Sequence, residues 1–158
     1  MSKTVHIYGG GLAGCEAAWQ AALRGVDVVL YEMKPEKYTP AHHSAALSEL
    51  VCSNSLRSDS VTNAVGLLKC EMRRMESLIM EAAEATKVPA GSALAVDRER
   101  FSAYVTEKIN AHPRIRRVTQ EMDHVPDGQL TVIATGPLTS APMADYIAGT
   151  LGCGGLHF

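Results

Sequence analysis

The stretch Val5-His6-Ile7-Tyr8-Gly9-Gly10-Gly11-Leu12-Ala13-Gly14 decides how this sequence is read. Val5 to Tyr8 is a short apolar run of the kind that forms a buried strand, and the three glycines behind it end that pattern. From Leu12 to about Arg24 apolar residues recur at helical spacing, and Gly25 is placed to terminate the helix. Val26 to Glu32 is a second apolar strand. Residues 3–32 therefore read as a β-α-β unit whose strands run parallel through a right-handed crossover.

Inside that unit, Gly9 to Gly14 fits G-x-G-x-x-G. Gly9 permits the tight turn, Gly11 lets the backbone approach a pyrophosphate, and Gly14 lets the helix pack closely on the strand. Gly10, Leu12 and Ala13 complete the loop. The free amides and dipole of the helix N-terminus favour an anion there by up to ~2 kcal/mol in a partly buried geometry. Glu32 ends the second strand about 20 residues further on, where a carboxylate accepts the ribose hydroxyls of an adenosine and disfavours a 2′-phosphate. A glycine-rich turn alone occurs in unrelated α/β domains. With a strand before it, a helix after it and an acid closing the next strand, it points to the ADP half of FAD or NAD.

Beyond Glu32 the periodicity stops. Residues 33–62 are rich in Pro, Ser, Thr, His and Asn, and form a loop far longer than the usual 4 to 6 residues. Helical spacing resumes across 63–111. Val65, Leu68, Met72, Met75, Ile79 and Ala82 make one stripe, in which the methionines read as core filler. Val88-Pro89-Ala90-Gly91 reads as a turn, and Asp97 as the N-cap of a helix carrying Phe101, Val105 and Ile109 and closed by Pro113. A buried strand, Leu130 to Ala134, and the Ala-Thr-Gly motif ending at Gly136 follow, then a short helix from about Ser140. The expected class is α/β: a Rossmann-like FAD/NAD(P)-binding domain, a parallel sheet with flanking helices.

Composition is that of an ordinary folded chain. Of 158 residues, 46% are hydrophobic and 20% charged, with a net charge of −2, which gives no global field for nucleic acid or anionic membrane. No apolar run is long enough to span a bilayer, and the N-terminus leads into a strand rather than a signal sequence, so a cytoplasmic location is expected. Cys15, Cys52, Cys70 and Cys153 contain no C-x-x-C pair, and free thiols are the default reading.

The segment Thr39-Pro40-Ala41-His42-His43, with Glu49-Leu50-Val51-Cys52-Ser53-Asn54-Ser55-Leu56-Arg57, is not generic to dinucleotide-binding domains. It resembles the bacterial folate- and FAD-dependent tRNA (uracil-5-)-methyltransferases. So do Asn63 to Lys69, Val88 to Gly91, Ala93 to Arg98 and Ala134 to Ser140, in order along nearly the whole chain. The resemblance implies FAD as cofactor, with Thr135 and Gly136 packed near it. It implies methylenetetrahydrofolate as carbon donor, NADH or NADPH as co-substrate, and a uridine of the tRNA T-loop as acceptor. Folate carries carbon at the formaldehyde level, so two further electrons are required, and reduced flavin supplies them. Members of that family are longer than this chain, so an N-terminal portion is expected, without methyl transfer of its own.

The same resemblance makes Cys52 a candidate nucleophile, or a supporting group, for uracil-5 chemistry, against the alternative of a structural thiol. Cys15 reads as a small packing residue, and Cys70 and Cys153 carry no signal. His42 and His43 would point apart in an extended chain, which disfavours a shared metal; loop hydrogen bonding near the flavin is open to them. No metal site is expected. Lys69, Arg73 and Arg74, and Arg114, Arg116 and Arg117, read as solvated charged faces, with contact to tRNA phosphate as the alternative. A related wobble-uridine-modifying flavoprotein shares the Gly14 to Ala18 pattern, and an inactive dinucleotide-binding module is a third reading.

Overall fold

Strand order explains where a ligand can go. In the computed structural model, which describes residues 4–152, β1 (Val5–Tyr8), β2 (Val28–Glu32), β6 (Ile115–Thr119) and β7 (Thr131–Ile133) form one sheet in the order β6-β2-β1-β7. Every pairing is parallel. The chain steps outward from β1 through β2 to β6, then returns to β7 on the other side of β1, the order of a Rossmann half.

The central strands read as apolar because both faces are covered. Ile7, Val28, Val29 and Leu30 are buried with Ile115, and α1 (Leu12–Leu23) packs on them through Cys15, Ala18 and Ala22. Fully burying a side chain such as Leu30 contributes roughly 1.5–3 kcal/mol. Small residues along α1 let it lie close to the sheet. Gly25, at φ +80, turns the chain out of the helix.

Three expectations are corrected by the structure. The single stripe from Val65 to Ala82 is two helices, α2 (Ala64–Arg74) and α3 (Leu78–Ala85). Between them Glu76 adopts φ +58 and Ser77 caps α3. Helix α1 holds the break: Glu16 accepts from Ser77 Oγ and the Ile79 amide, and Trp19 and Gln20 donate to the Glu76 and Met75 carbonyls. Leu68 and Met75 are consequently exposed, while Met80 and Met143 are buried.

The second correction concerns the strands. Residues 33–62 contain β3 (Ser55–Ser58), and the helical region holds β4 (Lys87–Val88) and β5 (Ala93–Val96), which form a small antiparallel sheet in the order β3-β5-β4. The Arg114 to Arg117 run belongs to β6, the edge of the main sheet. The stretch from Leu130 to Ala134 is not buried: among the described residues β7 is the opposite edge, and Leu130, Val132 and Ile133 are exposed. An apolar run marks a strand but not its position in the sheet.

The third concerns the basic clusters. Lys69 is buried, its ammonium donating to the Ser58 and Val65 carbonyls. Arg73 pairs with Asp59 and Glu84, and Arg114 with Asp27. Helix α4 (Arg98–Ala111) is capped by the Asp97 side chain and buries Phe101, Val105 and Ile109, and α5 (Ala141–Leu151) follows Ser140. No helix among the described residues is long and apolar enough to cross a membrane. Cys153 and the two glycines after it lie outside the described residues.

Candidate functional site

Three chain segments meet at the carboxyl ends of β1, β2 and β7, where the strand order reverses and such sheets open a crevice. The turn after β1 is sterically closed to side chains. Gly9 sits at φ +103, and a Cβ there would lie 2.6 Å from the Ala134 carbonyl oxygen and 2.9 Å from Thr135 Cα. A Cβ on Gly14 would overlap the Gly9 carbonyl oxygen. Above Gly11 the space is open, with no atom within 4 Å of such a Cβ. No side chain caps α1 at Gly11, so the first amides of the helix have no capping acceptor.

Gly10 is closed as well, for a reason the motif does not contain. Its Cβ would fall 2.5 Å from Leu47 Cδ2 and 2.8 Å from Glu32 Oε2. The unbroken run of three glycines was the only sequence signal for this restriction.

Glu32 is buried, and its carboxylate is already engaged: Oε2 accepts the Gly10 amide at 2.8 Å and Oε1 the Lys34 amide at 3.0 Å. A carboxylate has about four acceptor positions, so capacity for ribose hydroxyls remains. Gly9, Gly10, Gly11, Leu12, Ala13, Glu32, Thr135 and Gly136 all line one cleft of about 330 Å³. Gly14 lies behind that wall. The floor at the far end is formed by Gln120, Glu121 and Met122, which follow β6.

Residues 39–51 supply the facing wall through Thr39, His42, Glu49 and Val51, held by contacts that no local pattern announces. Lys34 is buried, donates to the Ala46 carbonyl at 2.7 Å and stands 3.7 Å from Glu49. Glu49 in turn accepts the His43 and Ser44 amides. Burial alone would raise the Glu49 pKa, but those two amides and the Lys34 ammonium outweigh it and hold the carboxyl below its ordinary value. Leu47 and Ser48 lock this strap from behind. The Ser48 amide donates to the Gly10 carbonyl, Thr106 accepts the Leu47 amide, and Ser102 donates to the Ser48 carbonyl. Ser48 takes φ +52 to make these contacts.

The cysteines separate clearly. Cys15 is fully buried, donates to the Gly10 carbonyl, and burial pushes its thiol up to about 12, the opposite of activation by the helix dipole. Cys52 is exposed; its neighbour Val51 lines the cleft, and Cys52 itself does not. His42 lines the cleft and His43 is exposed. Among the described residues no cluster of three or more His, Cys, Asp or Glu is arranged to hold a metal.

An ADP group needs a backbone cradle free of Cβ atoms, a helix start for its pyrophosphate and an acceptor for its ribose. Gly11, the uncapped α1 and Glu32 provide these on one surface, so the residues fit the group.

A family model described as glucose inhibited division protein A matches residues 4–155. The chain belongs to this family. It is 64% identical over 152 residues to a protein of Pelobacter propionicus named methylenetetrahydrofolate–tRNA-(uracil-5-)-methyltransferase, covering 96% of this chain and 34% of the relative. A protein of the same name from Ligilactobacillus salivarius is 57% identical over all 158 residues, which cover 36% of it. The chain thus spans about a third of the length of the curated relatives it matches. The solved structure of Aquifex aeolicus GidA shares the fold, with a TM-score of 0.62 at 16% identity over 79% of this chain and 21% of that one.

Proposed function

We propose that this chain forms the ADP-binding part of an FAD-dependent tRNA uracil-5-methyltransferase, which makes 5-methyluridine in the T-loop from methylenetetrahydrofolate. The observation that carries the reading is the convergence of the glycine loop, the uncapped α1 and Glu32 on one cleft, in a chain 64% identical to a protein of that name. Gly9 to Ala13 cradle the pyrophosphate, Gly14 keeps α1 close beneath it, and Glu32 holds the ribose. Ala134 and Thr135 bring the loop after β7 against Gly9, and Thr135 and Gly136 line the cleft beside it. When bound, the flavin supplies the two electrons that take a formaldehyde-level carbon to a methyl group, with NADH or NADPH as their source. Cys52, exposed and next in sequence to the cleft-lining Val51, is the candidate nucleophile toward the uridine. The tRNA partner and a cytoplasmic location belong to this same reading.

Loss of the protein from its native cell is expected to remove 5-methyluridine from the tRNA T-loop and leave wobble-position uridines modified. The reverse pattern would assign it to wobble-uridine chemistry. The purified chain alone is expected to bind FAD without turnover. Methyl transfer by these 158 residues would assign the whole reaction to them.

A further inference from the structure

His42 occupies a position in the cleft that neither the glycine loop nor Glu32 accounts for. It sits on the facing wall, on the strap that Lys34, Glu49, Leu47 and Ser48 pin in place. Its Nδ1 is 2.6 Å from Thr39 Oγ1, and that hydroxyl already accepts the Ala41 amide. With the Thr39 hydroxyl donating to Nδ1, the ring proton lies on Nε2. Among the described residues no hydrogen bond engages Nε2.

We propose that His42 is a ligand-binding residue whose Nε2–H donates to the pyrophosphate of the bound dinucleotide, opposite the amides that open α1. This rests on the reading of the cleft as an FAD site. The strap also offers the anion the buried Lys34 ammonium, which donates to Ala46 and stands 3.7 Å from Glu49, and the repulsive Glu49 carboxylate. His42 adds an Nε2–H that no other group among the described residues engages.

In the free protein burial first, then the Lys34 charge, lower the His42 pKa, against the opposing pull of Glu49 and Glu32, with His43 a minor repulsive neighbour. A pyrophosphate diester carries two negative charges across the neutral range, and placed beside the ring it favours the imidazolium. Protonation leaves the Thr39 contact intact, because the hydroxyl can then accept from Nδ1. Binding is therefore coupled to proton uptake, and affinity rises as pH falls through the His42 titration. The Glu49 carboxyl is held below its ordinary value and stays charged across this window. His43, its exposed neighbour in sequence, is the control.

The test is calorimetric titration of the protein with FAD between pH 5.5 and 8, in buffers of different ionisation enthalpy. FAD is suitable because its pyrophosphate does not titrate in that range. The expected result is net proton uptake by the wild type near neutral pH and FAD affinity that strengthens on acidification. His42→Gln should bind about tenfold more weakly at pH 6 and lose the pH dependence, while His43→Gln should keep both. FAD binding by the wild type without proton uptake, or His42→Gln matching it in affinity and pH slope, overturns this proposal alone. A wild type that binds no FAD overturns the proposal together with the dinucleotide reading beneath it.

Discussion

The two walls of the cleft are built on different principles. The glycine wall, Gly9 to Gly14, is defined by side chains that cannot be there: a Cβ at Gly14 would meet the Gly9 carbonyl, one at Gly10 would meet Leu47 and Glu32, and one at Gly9 the backbone of Ala134 and Thr135. The strap, residues 39–51, is defined by contacts that reach across the chain: Leu47 to Thr106, Ser48 to Ser102 and Gly10, Lys34 to Ala46. Exclusion leaves a motif in the sequence. Distant support leaves almost none, because Leu, Ser and Thr are ordinary residues until their partners are known.

That contrast can be broken by substitution, and the glycine wall should yield the largest effect. Gly14→Ala would push a Cβ into the Gly9 carbonyl, against backbone that cannot rotate away. A loss of roughly 3 kcal/mol in urea unfolding is expected, with FAD binding abolished. A midpoint close to wild type would mean that α1 can slide, and that the wall is not rigid.

Next comes the strap. Leu47→Ala removes a fully buried side chain and should cost about 2–5 kcal/mol. Because Leu47 is what fills the space beside Gly10, Gly10→Ala should be less harmful in the Leu47→Ala background than alone, a coupling of about 0.5–3 kcal/mol in a double-mutant cycle. Strict additivity would show the two walls to be independent.

A smaller effect is expected from acid. The folded-state pKa of Glu49 is depressed, so its contribution is present above the unfolded value and is lost as pH falls through the folded one. Stability of the wild type should fall on acidification below about pH 4.5, in part through Glu49, and Glu49→Gln should show a shallower fall over that range. Identical pH profiles would separate Glu49 from the strap's stability.

The mildest probe leaves the fold alone. Iodoacetamide should modify Cys52 in the native protein and spare Cys15, as read by peptide mass mapping, with no change in unfolding midpoint. Native labelling of Cys15 would mean that the floor beneath Gly10 opens.

How much of this was legible follows the same division. The β-α-β unit, the glycine loop, Glu32, the cap at Asp97 and the helix start at Ser140 were readable because each signal is local: an apolar period, a missing Cβ, a short polar side chain or a proline at a helix start. The helix break at Glu76 and Ser77 was not, since the stripe of Val65 to Ala82 continues through it. What divides it is Glu16, Trp19 and Gln20 on α1. Nor did the basic residues announce their partners: nothing in the residues around Lys69 names the Ser58 carbonyl that its buried ammonium meets.

By itself the sequence determined the fold class, the loop that can cradle a pyrophosphate and the acid that can meet a ribose, because these depend on the sterics of glycine and on short-range periodicity. Tertiary structure alone decided that β7 is an edge, that residues 39–51 form a wall rather than a free loop, and that His42 faces the cleft while Cys52 stands outside it. Those outcomes depend on which distant atoms satisfy each buried donor and fill each gap, and no local pattern encodes that.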